Sequence, residues 1–373
     1  MTVKVMPIFG TRPEAIKLAP VIKELERRPD EFELVITVTA QHRQMLDQVL
    51  RLFDITPDHD LDVMRPEQTV FEVTSRVLLG LEPVLRREQP DVVLVQGDTT
   101  TVMAAALAAY YLKIPVAHVE AGLRSFDKFQ PFPEEINRRL VSHIGDWHFP
   151  PTEGARQNLL REGLPDARIV VTGNTVIDAL LATVRADYRF EHPVLSQLDF
   201  AGRRVILATT HRRENWGGPL REICHAIRAI VEGHADVDVI YAVHLNPQVQ
   251  RVVRAELGDM PRVHLLEPLD YEPFVQLMSR CHLILTDSGG IQEEAPSLGK
   301  PVLVLRNVTE RPEGAEAGTL KLVGTERDVI VREAERLLSD PAEYRRMAGA
   351  SNPYGDGQAS RRIADVLTQL KRP

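Results

Sequence analysis

Along this chain short apolar, β-rich runs alternate with longer stretches of helical periodicity, and that alternation leaves few folds open. The runs are Val3–Phe9, Leu34–Thr39, Val92–Gln96, Val116–Val119, Ile169–Val171, Val205–Thr209, Val237–Val243, Val263–Leu266, Leu283–Thr286 and Val302–Leu305. Helical patterns such as Ala15–Arg28, Thr101–Leu112, Pro219–Glu232 and Val329–Leu338 fall between them. A strand apolar along its whole length is buried on both faces, and the intervening helices supply the covering layers. The pattern therefore predicts an α/β fold of parallel sheets with helices on both sides. The strands are too many for one comfortable sheet, so two doubly wound domains are expected. The first series ends at Thr172-Gly-Asn-Thr175, and a polar segment through Asp199 precedes the second. The expected domains are residues 1–173 and 174–357. A last helix over Ala359–Leu370 fits either domain on pattern alone. At 373 residues with 43% hydrophobic side chains, the chain can fill two cores.

Composition narrows function mainly by exclusion. A net charge of -8 without a basic block argues against a nucleic-acid surface. Cys224 and Cys281 are alone and far apart, which implies neither a zinc ligand set nor a disulfide framework. The N-terminus enters an apolar strand, and no run reaches membrane-spanning length, so a soluble cytoplasmic protein is expected. No GxGxxG fingerprint follows the first strand, and Walker-type loops, Gly-x-Ser-x-Gly elbows and metal-ligand clusters are missing. Bound NAD and ATP chemistry therefore lack support, and neither a cofactor nor a metal is expected.

The densest motif is DSGGIQEEAPSLGKPVLVLR, Asp287 to Arg306, after the apolar run His282–Thr286. Its order is buried strand, glycine-bearing loop, short helix, Lys-Pro turn and second buried strand. Ser288, Gly289 and Gly290 leave the strand end with little bulk, so their backbone N–H groups can meet a phosphate where the helix dipole favours an anion. Glu293 and Glu294 follow within a turn, close enough for one carboxylate to accept from a ribose hydroxyl. Standing alone, the motif reads equally as a strand-to-helix turn with an N-capping serine.

Other charged residues also lie just beyond strand ends, where open α/β sheets bind ligands. Arg12 and Lys17, in Gly10-Thr-Arg-Pro-Glu-Ala-Ile-Lys17, can reach a diphosphate or simply solvate a helix start. Asp98, after Val92–Gln96, either binds a ligand or caps the next helix. Glu120 ends an apolar strand, which structure alone explains less readily. Glu134 and Glu135 stand between prolines and a helix. His211 is either a turn histidine or, beside Arg212 and Arg213, a partner for an anionic substrate.

Taken in order, FGTRPEAIKLAP, TAQHRQMLDQVL, GDTTT, HVEAGLR, PFPEE, TGNTVIDAL, HRREN, VHLNP, the Asp287–Arg306 string, TERPEG and NPYGDGQAS run from Phe9 to Ser360. This set closely resembles the non-hydrolysing UDP-N-acetylglucosamine 2-epimerases. The resemblance implies the glycosyltransferase-B architecture, two Rossmann-like domains facing across a cleft, with the C-terminal helix (358–373) packing back on the N-terminal domain. It implies interconversion of UDP-GlcNAc and UDP-ManNAc, with UDP also bound, a homodimer, and supply of ManNAc-type sugar to cell-surface polysaccharide. The hydrogen on sugar carbon 2 is not next to a carbonyl, so simple enolisation is closed. Departure of UDP from the anomeric carbon acidifies that hydrogen. Its loss gives 2-acetamidoglucal, and re-addition with protonation on the other face inverts the centre.

Carried over motif by motif, the family's nucleotide contacts fall on Arg12, Lys17, Ser288, Gly289, Gly290, Glu294 and Arg311, with Phe274 beside the uracil. Catalytic or sugar-proximal positions fall on Asp98, Glu120, Glu134 and His211. His211 and the cations would stabilise the departing diphosphate, and the three acids would move protons, with their faces unassigned. The resemblance also implies a second, regulatory UDP-GlcNAc site at Gln41, Gln44, Arg212 and His244, where one family arginine aligns with Glu67. Gln96, Ala242, Asn307 and Ser125–Lys128 depart from the common pattern. The competing readings are a hydrolysing epimerase releasing ManNAc and UDP, a sugar transferase of the same architecture, and a UDP-sugar sensor.

Overall fold

The structure, a computed structural model, describes residues 2–40, 43–65 and 67–370, with the side chain of Gln44 outside the description. The chain divides into two compact units, Met1–Ala182 with Tyr354–Pro373, and Thr183–Pro353.

The first unit is built on β1 (Val3–Phe9), β2 (Phe32–Leu34), β3 (Thr37–Val38), β4 (His59–Asp60), β5 (Val92–Gln96), β6 (Val116–Val119) and β7 (Trp147–Phe149). All pairings are parallel, in the order β4-β3-β1-β5-β6-β7, with β2 also beside β1. One core layer packs Met6, Ile8, Val93 and Val95 against Val77 and Leu81 of the helix Val70–Glu88, and against Ala105 and Val141 from the helices Thr100–Tyr111 and Glu134–Ile144. Each large apolar side chain buried this way contributes roughly 1.5–3 kcal/mol.

The second unit carries β8 (Arg204–Thr210), β9 (Val237–Val243), β10 (Val263–Leu266), β11 (Leu283–Thr286), β12 (Val302–Val304) and β13 (Leu320–Leu322). Its parallel order is β10-β9-β8-β11-β12-β13. Ile206, Tyr241, Leu285 and Leu303 meet Ile223, Ile227, Val253 and Ile330 in its core. The α/β expectation holds for both units, and in each sheet the strand order reverses about the first strand laid down, the geometry that opens a ligand crevice at strand carboxyl ends.

The first unit runs on to Ala182, nine residues beyond the boundary expected at 173, and so takes in nearly all of the helix Thr175–Thr183. Asp178 explains the grouping, because its carboxylate accepts the backbone N–H groups of Ala359 (3.3 Å) and Ser360 (2.8 Å). Burial pushes the pKa of Asp178 up, and these N–H groups only partly offset that. The helix they open, Ala359–Leu367, buries Ile363, Ala364 and Leu367. Arg28 reaches it through a 2.6 Å bond to Asp365.

Two strand expectations are corrected. Leu34–Thr39 is interrupted at Val35 and Ile36, opposite Pro7 of β1, which has no N–H to give; Ile36 instead donates to Asp58 Oδ2 at 2.7 Å. Ile169–Val171 makes a single parallel bridge, Ile169 to His148, because β7 runs into Pro150 and Pro151 and the ladder loses its donors. Among the described residues no helix is long and apolar enough to cross a membrane. No group of three or more His, Cys, Asp or Glu among them could hold a metal ion.

Candidate active site

In the first unit the candidate side chains lie at the carboxyl ends of β1, β5 and β6 and at the start of one helix. Glu120 directly follows β6, is 8% exposed, and has φ +62°. A left-handed non-glycine residue costs on the order of 1–2 kcal/mol. The strain is held by neighbours on both sides: Lys17 Nζ lies 2.5 Å from Glu120 Oε2, and Gln96 Nε2 donates to the same oxygen. Gly122 allows the turn that follows, since at φ +85° a Cβ there would meet the Ala155 carbonyl oxygen at 2.3 Å.

Lys17 is placed by the helix Arg12–Glu26, whose first turn is closed by a buried acid. Glu14 accepts the N–H groups of Gly10 and Thr11, each at 2.7 Å, and the hydroxyl of Thr99. Burial raises its pKa against those donors. Glu14 thereby ties the loop after β1 to the loop after β5. Arg12, half-buried at the first helical position, has no ion-pair partner among the described residues.

Asp98 does not cap its helix. The cap is Thr99, which accepts from Val102 N–H at 3.3 Å. The Asp98 carboxylate instead receives Arg138 Nε at 2.8 Å, and its carbonyl receives Asn137 Nδ2 at 2.9 Å. Gly97, one residue earlier, is held through its carbonyl by His118 Nε2 at 2.7 Å. Of the paired acids, Glu135 is fully buried and binds the Ser125 and Phe126 N–H groups at 2.9 and 3.2 Å, fixing the start of the Ser125–Lys128 loop. Glu134 has one carboxylate oxygen, Oε2, buried without a hydrogen-bond partner. An unmet buried acceptor costs about 1–3 kcal/mol, and an active site is where such a cost is retained.

The second unit brings together His211, Ser288, Gly289 and Arg311. Ser288 is the N-cap of the short helix Gly289–Glu294, yet its side chain makes no capping bond and its own N–H donates to Thr286 Oγ1 at 3.0 Å. The donors left for an anion are the hydroxyl and the N–H groups of the two glycines. Arg311 lies over Gly289 so closely that a Cβ there would stand 2.8 Å from Nη1. Glu293 aims the guanidinium by accepting Nε at 2.6 Å. Glu294, 8% exposed, meets the Tyr271 hydroxyl at 3.4 Å, and burial followed by the charge of Glu294 pushes that hydroxyl's pKa well up. Phe274 is half-buried one turn beyond Tyr271 in the helix Tyr271–Arg280.

His211 is anchored by Asp287, a fully buried carboxylate that sequence reasoning passed over. Its Nδ1 lies 3.0 Å from Asp287 Oδ1. Asp287 also takes the backbone N–H groups of His211 and Arg212 and Nδ2 of Asn215. Burial works against its charge, but His211 and these N–H groups outweigh it and hold the pKa below the usual carboxylate value. Of the expected regulatory residues, Gln41 lies outside the described residues, and of Gln44 only its place in the helix Arg43–Leu52 is described. Arg212 approaches Glu310 at 3.6 Å, and His244 is exposed with Nδ1 accepting from Asn246 N–H at 3.2 Å. Glu67 is exposed.

Comparison with known proteins gives the chain that carries these side chains a class. The family model described as UDP-N-acetylglucosamine 2-epimerase matches residues 23–368. The chain is 56% identical to the UDP-N-acetylglucosamine 2-epimerase of Bacillus subtilis over 364 residues, covering 98% of this chain and 94% of that protein. It is 54% identical to the Escherichia coli K12 enzyme of the same name over 373 residues, covering 98% of each. The crystal structure of UDP-GlcNAc 2-epimerase from Neisseria meningitidis bound to UDP-GlcNAc superposes with a TM-score of 0.86 at 48% identity, covering 98% of this chain and all of that one. The fold is the two-unit α/β arrangement of glycosyltransferase-B proteins. The chain belongs to the UDP-N-acetylglucosamine 2-epimerase family.

Proposed function

We propose that the protein interconverts UDP-GlcNAc and UDP-ManNAc without hydrolysing either, by elimination and re-addition of UDP. Breaking the bond between the anomeric carbon and the diphosphate oxygen releases UDP. A carboxylate takes the carbon 2 proton, and the electron pair forms the double bond of 2-acetamidoglucal. The second half returns a proton to the opposite face while UDP re-forms its bond, so the sequence is redox-neutral and consumes no water.

The observation that carries this reading is the Lys17–Glu120 contact of 2.5 Å. It puts a cation suited to a leaving diphosphate against an acid suited to the neighbouring proton, which is what coupled loss from adjacent carbons requires. Asp98 and Glu134 are the other acids of the reaction. Arg12, Ser288, Gly289, Gly290 and Arg311 hold the diphosphate, Glu294 the ribose, and Phe274 the uracil. His211 stabilises the departing diphosphate. Arg212 and His244, with Gln41 and Gln44, form a second UDP-GlcNAc site that regulates the first. The product serves cell-surface polysaccharide synthesis in the cytoplasm, and the working form is a homodimer.

The test is incubation with UDP-GlcNAc alone in D₂O, followed by NMR of the sugars. UDP-ManNAc carrying deuterium at carbon 2 is expected. Free ManNAc plus UDP identifies a hydrolysing enzyme instead, and retention of the original hydrogen rules out the proton-transfer route.

A further inference from the structure

Asp287 and His211 are 76 residues apart in sequence, yet one carboxylate accepts the backbone N–H of the histidine and stands 3.0 Å from its Nδ1. Two attachments to a single residue fix its main chain and its ring together. Asp287 has no solvent exposure, whereas the His211 side chain keeps 42% of its surface. The ring is thus held on its Nδ1 side while the side chain as a whole stays open to solvent. Asn215 braces the anchor, giving one amide hydrogen to Asp287 Oδ2 at 2.9 Å and reaching the Leu305 carbonyl at 3.1 Å. Thr209 and Thr286, whose hydroxyls meet at 2.8 Å, lock the ends of β8 and β11 beneath the pair.

We propose that Asp287 is a positioning residue for the reaction: it holds the proton of His211 on Nδ1 and turns Nε2 toward the substrate. The proposal rests on the reading that His211 acts on the departing diphosphate. In the imidazolium form, whose charge the carboxylate offsets, Nε2 gives its proton to a diphosphate oxygen of departing UDP and leaves a neutral ring protonated on Nδ1; the same proton returns to Nε2 when UDP re-adds. The carboxylate itself exchanges no proton. An aspartate in this relation to a histidine sets both tautomer and orientation.

The test is nitrogen NMR of histidine-labelled protein, with the His211 signals identified by their loss in His211→Asn. In the native chain the neutral ring is expected with Nδ1 protonated and Nε2 bare. Asp287→Asn presents an amide N–H to Nδ1 and is expected to move the proton to Nε2. Turnover of Asp287→Asn should fall roughly 10²–10⁴-fold, with UDP affinity changed less than about threefold. Adding Asp287→Asn to His211→Asn should cost less than about threefold more, because the two act as a unit. A native ring protonated on Nε2 overturns the proposal even if Asp287→Asn fails to fold. A full second loss in the double variant overturns it too, since it would mark Asp287 as purely structural. Native turnover in His211→Asn instead removes His211 from the reaction, and the proposal falls with that reading while the NMR result still reports the anchored nitrogen.

Discussion

The ammonium of Lys17 sits 2.5 Å from Oε2 of Glu120, so the cation expected at the diphosphate and an acid expected at the sugar are one ion pair. Gln96 completes the grip on that oxygen. In the proposed reaction Lys17 is then more than a phosphate anchor, because its charge stands directly against the Glu120 carboxylate. Lys17→Met is therefore expected to lower turnover on the order of a hundredfold and to weaken UDP binding as well. Gln96→Leu should lower turnover about tenfold and leave UDP binding alone. Steady-state kinetics with UDP inhibition constants separates the two, and equal effects on UDP affinity contradict the assignment.

Acids and phosphate contacts should part company in the same way. Asp98→Asn and Glu134→Gln are expected to lose on the order of a hundredfold or more in turnover with UDP affinity near native. Arg12→Ala and Glu294→Ala should lose UDP affinity. Calorimetric titration with UDP checks this, and normal turnover in either acid variant removes that acid from the chemistry.

Gly289→Ala tests the phosphate end. A methyl group would stand 2.8 Å from Arg311 Nη1, and the flexible guanidinium can retreat without backbone movement. Stability should change little, while loss of one charge-assisted contact lowers UDP affinity roughly tenfold. A large fall in the unfolding midpoint would mean that the glycine serves the fold instead.

Acid should loosen the first unit. His118 and His148 are both buried, and burial first of all pushes their pKa down to about 4 and about 3. Above the ordinary value near 6.5 both are neutral in either state. Below it the unfolded chain takes up protons that the native fold refuses, so stability falls as pH drops through that window. The loss is roughly 2 kcal/mol for each by pH 5, less for the pair because the two rings interact. Urea unfolding at pH 7, 6 and 5 measures it. His118→Gln, which can still donate to Gly97, should flatten the profile; an unchanged slope would place the acid sensitivity elsewhere.

The proposed second sugar-nucleotide site predicts a kinetic signature. Sigmoidal dependence on UDP-GlcNAc is expected, with a lag in the UDP-ManNAc direction that trace UDP-GlcNAc relieves. Glu67 should repel a phosphate there, so Glu67→Arg should sharpen the response and lower the concentration at half saturation. Hyperbolic rates in both directions, unchanged in Gln44→Ala and Glu67→Arg, would show a silent site.

The long buried strands were legible in the sequence because four or five consecutive apolar residues, as in Val92–Val95 and Val239–Val243, admit few other structures. His59–Asp60, Trp147–Phe149 and Leu320–Leu322 were not, since two or three residues carry too little alternation to register. The charged residues at strand ends were legible as candidates by position. Their partners were not: nothing local announces that Arg138 answers Asp98, that Gln96 grips Glu120, or that Asp287 closes on His211. Asp98 shows the limit in one residue. Its sequence context fits a helix cap, and only the neighbouring Thr99, with its N–H partner, reveals that the cap is already supplied.

The carboxylate of Asp178 holding the N–H groups of Ala359 and Ser360 has a consequence for synthesis. The first unit is written in two pieces, with Thr183–Pro353 inserted between them. A ribosome delivers the last piece only after every residue of the insertion has emerged. The nascent first unit must therefore wait, with the apolar surface that Ile363 and Leu367 will cover still bare, while the second unit has all it needs to fold. In this chain the half made second is the half that can be finished first.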